Sequence, residues 1–555
     1  MVTIEIIDAH WMRIAGATGG RVFSVYDRQR VEAVLSLRSA DGNYTDTLLT
    51  KNNFFPNRLK SLVAETLQAL GHQYRYEWKC PKPVVMGEAT DILKSKPEMV
   101  ESWNLRGDYQ IYGIRSMLGY MGGLLNSAAG SGKTVMAAFA IAALHQQWME
   151  AAPKQKIKIV WLAQTREQVK QAEDAPKEKM KIVWLAQTRE QVKQAEDALR
   201  RAGFLITGRD PQIICVCWQG FENSPKMLEA VNDCNVMVMD ECHSATDALM
   251  KIAMKAKNAW WRFGLTATPV RTDNREILFQ AMFGPTVATI NQERVKSEGH
   301  LLNGKAAIYS VGEKNDLDKA ILTAAHDELE KLEAKNCSQR YYQDEKNRII
   351  YRYAKKLGIV ESERRNDLII GIAHKQIDLG RMVLIIVATV DQGREISSKI
   401  SGSKLVHSNM RVSEGRRDEI MADAKAGKLQ CLVATSLADQ GLDIPCIDVV
   451  MMAAGGRGGK DSYLIEQRAA RGQRTHGDKK AGHVIDFIDN GESHLAFHSS
   501  QRLKKYHQMN FEVTMSRRSC LPSCQRRNGK TFLKTNVVPS PEAWLPVRVA
   551  TPVTS

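Results

Sequence analysis

The feature that most constrains this chain is Asn126-Ser127-Ala128-Ala129-Gly130-Ser131-Gly132-Lys133-Thr134, set between an apolar run at 121–125 and a helix-forming run at 135–144. Small residues let the backbone curl so that successive N–H groups surround an anion, and the helix that follows points its positive end at it. Lys133 supplies charge at the β/γ-phosphates of a nucleotide, and Thr134 is placed to hold Mg²⁺. The fuller form of this loop has Gly six residues before the Lys, where Ser127 stands here. A strand feeding such a loop and then a helix commits at least this part of the chain to an α/β architecture with a parallel sheet.

The second half of the chemistry lies about a hundred residues on. An apolar strand, 236–239, runs into Asp240-Glu241-Cys242-His243. Two adjacent carboxylates at a strand end suit ATP hydrolysis: Asp240 would hold Mg²⁺ and Glu241 would polarise the attacking water. Upstream, Tyr109-Gln110 offers an amide whose donor and acceptor match an adenine edge. Downstream, Leu265-Thr266-Ala267-Thr268-Pro269 puts hydroxyls at another strand end, within reach of the acidic cluster.

A second α/β unit starts near Ile369, with buried strands at 382–387 and 431–434. It carries 434–445 (ATSLADQGLDIP) and then Gln467-Arg468-Ala469-Ala470-Arg471-Gly472-Gln473-Arg474. Arg471 and Arg474, three apart, would share one face of a helix. That arrangement fits either a pair of guanidiniums directed at a phosphate or a basic face on nucleic-acid backbone.

Residues 152–174 and 175–197 are tandem copies that differ only at Gln155/Glu178 and Ile157/Met180. Each reads as a buried strand followed by a polar helix. A parallel sheet normally has one slot for such a unit, so the surplus copy is expected to loop out or to add an edge strand. That would expose Trp161 or Trp184, an aggregation liability.

The formal net charge of +16 favours a polyanionic partner. Half of it falls in residues 497–555, with ten Lys/Arg against two Asp/Glu. Pro- and Ser-rich stretches there imply a basic, disordered tail. The ten cysteines are scattered, as in a reducing compartment. Cys520 and Cys524 with His507 lack a fourth partner for zinc. No apolar run reaches the ~20 residues that span a bilayer, and the N-terminus lacks a secretory pattern, so a cytoplasmic protein is expected.

Taken in order, these motifs resemble the superfamily 2 helicases of the DExH type, over 105–489. Tyr109-Gln110 matches the Gln motif, Gly130 to Thr134 motif I, Asp240 to His243 motif II, and Thr266 to Thr268 motif III. Residues 435–443 match motif V and 467–474 motif VI. Gln164-Thr165-Arg166, or its copy Gln187-Thr188-Arg189, is similar to motif Ia. Leu265 to Asp273 and the run from Gly358 through Arg365-Asn366 lean towards phage and bacterial DNA helicases, the UvsW-type branch-remodelling enzymes and the helicase modules of restriction systems. The departures are Ala470 for the motif VI Gly, Ser127 for the first loop Gly, and the duplicated motif Ia.

The resemblance implies two tandem RecA-like domains. The expected boundaries are an N-terminal α+β domain at 1–95, the first RecA-like domain at 96–290, and a charged helical linker at 291–365. The second RecA-like domain would follow at 366–495, with the tail at 496–555. ATP and Mg²⁺ are the implied cofactors. Gln110, Gly130, Ser131, Gly132, Lys133, Thr134, Gly441 and Asp443 would bind nucleotide, with Thr134 and Asp240 on the metal. Lys133, Asp240, Glu241, Arg471 and Arg474 would carry hydrolysis. His243, Thr266, Thr268 and Gln467 would couple it to the strand, and Arg166 or Arg189 with Thr435 would touch nucleic acid. DNA, single-stranded or branched, is the favoured partner; no membrane is expected. An RNA helicase, the motor of a restriction system and an ATP-binding scaffold are the alternatives.

Overall fold

The structure is a computed structural model. It describes residues 1–17, 23–38, 44–80, 105–151, 234–254, 256–267, 276–311, 317–335, 337–407, 414–435, 444–456 and 462–516, three strands at 159–161, 183–186 and 213–217, and isolated positions between and after these. The chain divides into two compact units, 1–300 and 301–555.

The first unit opens with a four-stranded sheet of β1 (Val2–Ile6), β2 (Trp11–Ala17), β5 (Phe54–Pro56) and β6 (Tyr74–Trp78), in the order β5-β2-β1-β6. A short hairpin, β3 (Ser36–Arg38) with β4 (Tyr44–Thr47), lies outside it. Val31 and Leu35 of helix α1 (Val25–Val34) and its C-cap, and Val63 and Leu67 of α2 (Lys60–Ala69), are buried with Val2, Ile4 and Ile6 of β1. This small domain is tied to the rest of the unit through backbone carbonyls. Arg58 donates through Nη2 to Met121 O (3.1 Å) and to Trp260 O, and Ala9 N–H donates to Lys257 O (3.0 Å).

The second sheet of the unit is wholly parallel. It holds β7 (Gly122–Ser127), β8 (Ile159–Trp161), β9 (Val183–Ala186), β10 (Ile213–Cys217), β11 (Val236–Met239), β12 (Trp261–Thr266) and β13 (Thr286–Ile290), in the order β13-β7-β12-β11-β8-β10-β9. β11 and β12 are buried at every position, the pattern of strands covered on both faces. Helix α3 (Asp108–Gly119) precedes β7, and α4 (Lys133–Ala151) follows it. From Met136 to Leu144 every residue of α4 is buried.

The sheet takes both copies of the tandem repeat, so that of the two expected outcomes, looping out or adding an edge strand, the surplus copy takes the second. β8 comes from the first copy and sits between β11 and β10; β9 comes from the second and forms the edge. Ile214 of β10 pairs with Val160 on one side and with Val183 on the other. Val160 and Val183 are equivalent positions of the two copies, so either copy meets β10 in the same register. Deleting 152–174 and deleting 175–197 leave chains that differ only at the two variant positions. The two products are therefore expected to fold alike, with stabilities within about 1.5 kcal/mol, the upper range for a volume-conserving core exchange such as Ile for Met. Denaturant unfolding of the two deletion proteins side by side checks this.

The second unit is built on β14 (Gly304–Ser310), β15 (Val383–Ile386), β16 (Lys404–Val406), β17 (Cys431–Ala434), β18 (Val449–Met451), β19 (Gly482–Ile488) and β20 (Glu512–Ser516). They form one parallel sheet in the order β16-β17-β15-β18-β19-β14-β20. Alternate residues supply two cores. Leu384, Ile386, Leu432, Val450 and Val484 face one way, and Val383, Ile385, Val433, Met451 and Phe487 the other.

The expected linker at 291–365 and tail from 496 both need correction. Residues 304–310 are a strand inside the second sheet, between β19 and β20. Helices α8 (Leu317–Glu333) and α9 (Gln339–Lys355) pack together as a hairpin with its own small cores, one of which includes Leu495. At the other end, helix α14 (Ser493–Gln508) buries Leu495, Arg502 and Tyr506, and β20 completes the sheet edge. Charge and polar composition masked both segments: their apolar positions are sparse but correctly spaced. The tail beyond 516, with Cys520 and Cys524, lies outside the described residues apart from two-residue strands at 526–527 and 530–531. Among the described residues no group of His, Cys, Asp or Glu could hold a metal on its own, and no helix is long and apolar enough to cross a membrane.

Candidate active site

β7, β12 and β11 are neighbours, and their registers bring Asn126 level with Thr266 and Met239 level with Gly264. Ser127, Thr266 and Asp240 therefore emerge along one edge, at the carboxyl ends of the strands, where open α/β sheets bind ligands. The loop after β7 is pinned at its start, since Ala128 N–H donates to Ile290 O of β13 (2.9 Å). Gly130 (φ 84°) and Gly132 (φ 86°) take left-handed backbone, which side chains other than Gly adopt at a cost. α4 then begins at Lys133 itself, aiming its first N–H groups at the loop.

The side chains interlock. Lys133, 9 % exposed, places Nζ 3.4 Å from Ser127 O and 3.6 Å from Glu241 Oε1. Thr134 Oγ1 donates to Asp240 Oδ2 (3.2 Å). The hydroxyls of Ser127 and Ser131 are 2.6 Å apart and fully buried, so the Ser at the first loop position adds a bond that Gly could not make. Glu241 stands at φ 48° and ψ 44°, an uncommon conformation for a non-Gly residue, with its N–H donating to Asp240 Oδ1 (2.9 Å). His243 Nδ1 lies 3.0 Å from Thr266 Oγ1 and 3.5 Å from Glu241 Oε2. Burial, reinforced by the Glu241 charge, holds the Asp240 carboxyl well above the ordinary carboxylate range, while burial pushes His243 down. Hydroxyl and carboxylate oxygens converging beside a lysine form a donor set suited to Mg²⁺ and a nucleotide's phosphates. A bound divalent cation would reverse the shift on Asp240.

Gln110 is buried on α3 against this loop. Its Oε1 accepts from Arg106 N–H (2.8 Å) and its Nε2 donates to Ser131 O (2.8 Å). These partners fix which way the amide points. A Cβ on Gly132 would lie 2.5 Å from Gln110 Nε2, so the second loop glycine is needed for this approach as well as for its φ.

In the second unit, Thr435 is buried at the end of β17, with its N–H on Val406 O (3.3 Å), and Gln467 is half-buried on α13 (Ser462–Gly472). Arg471 is buried at the end of α13. Arg474 is not on that helix, which corrects the expected shared face. The helix stops at Gly472, Gln473 exchanges hydrogen bonds with Leu302, and Arg474 bridges to Leu301. Arg166, Arg189, Thr268, Gly441 and Asp443 lie outside the described residues.

Sequence reading missed the polar groups that brace these elements. Arg262, fully buried in β12, donates to the carbonyls of Ala253, Met254, Ala256 and Ala259, satisfying the end of helix α5 (Asp247–Met254) and the turn after it. An Arg in an otherwise apolar run was the available signal.

Comparison with known families adds to this geometry. Residues 104–271 match the type III restriction enzyme res subunit family, and residues 365–476 match the helicase conserved C-terminal domain. The chain belongs to the superfamily 2 helicases. Among curated relatives, this helicase-family chain is 25 % identical over 289 residues to a protein described as helicase 22 of a Sulfolobus islandicus filamentous virus, covering 52 % of the chain and 47 % of the relative. It is 22 % identical over 376 residues to a protein named as a DNA 3'-5' helicase, Rad25, of Haloarcula marismortui, covering 67 % of the chain and 51 % of the relative. The chain thus spans about half the length of these curated relatives. Among solved structures it is similar to T4 UvsW, at 16 % identity and a TM-score of 0.38, over 93 % of this chain and 98 % of that one.

Proposed function

We propose that this chain is an ATP-dependent DNA helicase or translocase that unwinds or remodels duplex or branched DNA in replication, recombination or repair. The observation that carries the reading is the convergence of Lys133, Thr134, Asp240 and Glu241 at one sheet edge, with His243 bonded to Thr266 beside them. In the mechanism, the backbone N–H groups of the loop and Lys133 bind and orient the phosphates. Thr134 and Asp240 would hold Mg²⁺, which would supply positive charge to offset that of the phosphates. Glu241 takes a proton from the attacking water at its carboxylate. Arg471 and Arg474 are assigned to the γ-phosphate, where guanidinium charge stabilises the transition state. The His243–Thr266 contact is assigned to coupling hydrolysis with the grip on the strand, together with Thr268 and Gln467.

The preference for DNA rests on the motif resemblance; the +16 charge favours a polyanion of either kind. It is tested by ATP turnover of the purified chain alone and with single-stranded DNA, a branched junction and RNA. Junction DNA is expected to stimulate most; RNA as the better activator would instead make this an RNA helicase. Because the grip is through phosphates, stimulation should fall steeply with salt. The apparent affinity for single strands should drop with a log–log slope of about −0.7 per phosphate neutralised. Titrating the DNA at several KCl concentrations gives that slope, and a flat response would remove the backbone-binding part of the mechanism.

A further inference from the structure

The first unit ends at His300, and its last residues are fastened to the helix that carries Gln110. Glu298 follows helix α7 (Gln292–Ser297) and puts Oε2 3.3 Å from Tyr109 N–H, at the start of the Gln110 helix α3. Its other oxygen accepts from Arg294 Nε (3.4 Å), and the Arg294 guanidinium lies 4.8 Å from the centre of the Tyr112 ring on the same helix. The His300 ring sits 5.9 Å from that of Tyr109. The N-cap residue of α3 is Gly107, which has no side chain to cap with; the Glu298 carboxylate reaches in instead. A carboxylate at a helix N-terminus both accepts an orphan N–H and opposes the helix dipole.

This fastening bears on the base. The Gln110 amide spends one acceptor site on Arg106 N–H and one donor on Ser131 O. One lone pair and one N–H remain in its hydrogen-bonding capacity, the pair that complements adenine's N6 amino group and N7. Their direction depends on where the first turn of α3 lies, and Glu298 holds that turn.

We infer that Glu298 is a positioning residue for base selection: by anchoring the first turn of the Gln110 helix it sets the preference for adenine over guanine nucleotides, and it does so from the last residues before the second unit begins. The inference rests on the nucleotide-binding reading above. Glu298 does not touch the phosphates, so its loss should weaken ATP binding without changing what the loop does for any triphosphate.

The test measures binding of fluorescent ATP and GTP analogues to the full chain, with turnover of both nucleotides alongside. Wild type is expected to prefer ATP. Glu298→Ala should lower that preference by about tenfold, the scale of losing one or two hydrogen bonds, through weaker ATP binding with GTP binding unchanged. Glu298→Gln keeps an acceptor for Tyr109 N–H and should retain most of the preference. Gly107→Ala supplies an independent route. Its Cβ would stand 2.2 Å from Glu298 Oε2, the far end of a flexible side chain, while the φ of 173° suits any residue. It should displace the carboxylate, leave the fold intact and reproduce the alanine effect. An unchanged ATP/GTP ratio in both Glu298→Ala and Gly107→Ala overturns the inference and leaves the ATPase reading standing. Equal weakening of both nucleotides reduces Glu298 to a structural role and also overturns it. Wild type that binds neither analogue sinks the nucleotide-binding reading itself, and the inference with it.

Discussion

Glu241→Gln is expected to lower ATP turnover by about 10²–10⁴-fold, the usual contribution of a general base, with little change in ATP affinity. The substitution keeps the volume and shape of the side chain; Lys133 Nζ loses the carboxylate charge 3.6 Å away but keeps its contact within the loop. Thr134 stays on Asp240 and Lys133 still lies 3.4 Å from Ser127 O. What disappears is the ability to take a proton from water. Removing that charge also acts on the neighbour. Burial is the larger cause of the raised Asp240 pKa, and the Glu241 charge is the next. With Glu241 neutral, Asp240 should titrate at lower pH. A cation competes with the proton on Asp240, so Mg²⁺ affinity falls as pH drops below that pKa. The variant should shift this fall to lower pH while turnover stays lost. Steady-state kinetics with a Mg²⁺ titration at several pH values reads both effects. Turnover within a fewfold of wild type would take the base role away from Glu241.

What was legible in the sequence is the part that chemistry forces to be local. A phosphate loop must be a few small residues between a strand and a helix, so 126–134 announces itself. An acidic pair at a strand end does the same for Asp240 and Glu241. The pairing of β7, β12 and β11 follows from those strands being apolar and from the motifs sharing one edge. Long-range pairing was not legible. β14 (GKAAIYS) falls in a stretch whose charge reads as a helical linker, and it is a strand of the second sheet because β19 and β20 flank it over its length. The end of α13 was misjudged for a related reason: Gln473 is held by Leu302, more than 150 residues away in sequence, so the helical spacing of Arg471 and Arg474 did not survive. Equally hidden were the buried arginines. Composition treats Arg262, Arg365 and Arg502 as surface charge, yet each is almost wholly enclosed and spent on carbonyls or carboxylates.

Arg365→Ala is expected to destabilise the second unit by about 3–5 kcal/mol, the cost of breaking a buried ion pair from one side. Arg365 is fully enclosed at the start of helix α10 (Glu363–Asp378). It donates through Nε to Asp489 Oδ1 (2.8 Å) and through Nη1 to Ala453 O (2.5 Å), with its guanidinium 5.1 Å from the centre of the Phe487 ring. One side chain thereby ties this helix to the ends of β18 and β19. Without it Asp489 keeps Arg502 Nη2 only at 3.8 Å, because Arg502 is committed at 2.9 Å to Asp486, which also accepts from Tyr506 OH (2.8 Å). The loss should appear as a fall of roughly 10 °C or more in the unfolding transition of the second unit, given a few degrees per kcal/mol at this size. Adding Asp489→Leu to an Arg365→Leu background should recover much of it, since the double variant buries no unpaired charge. Thermal and denaturant unfolding of the two single variants and the double variant completes the cycle. Additive losses would mean that the two side chains stabilise the unit independently, through packing and the Ala453 contact, rather than as a pair.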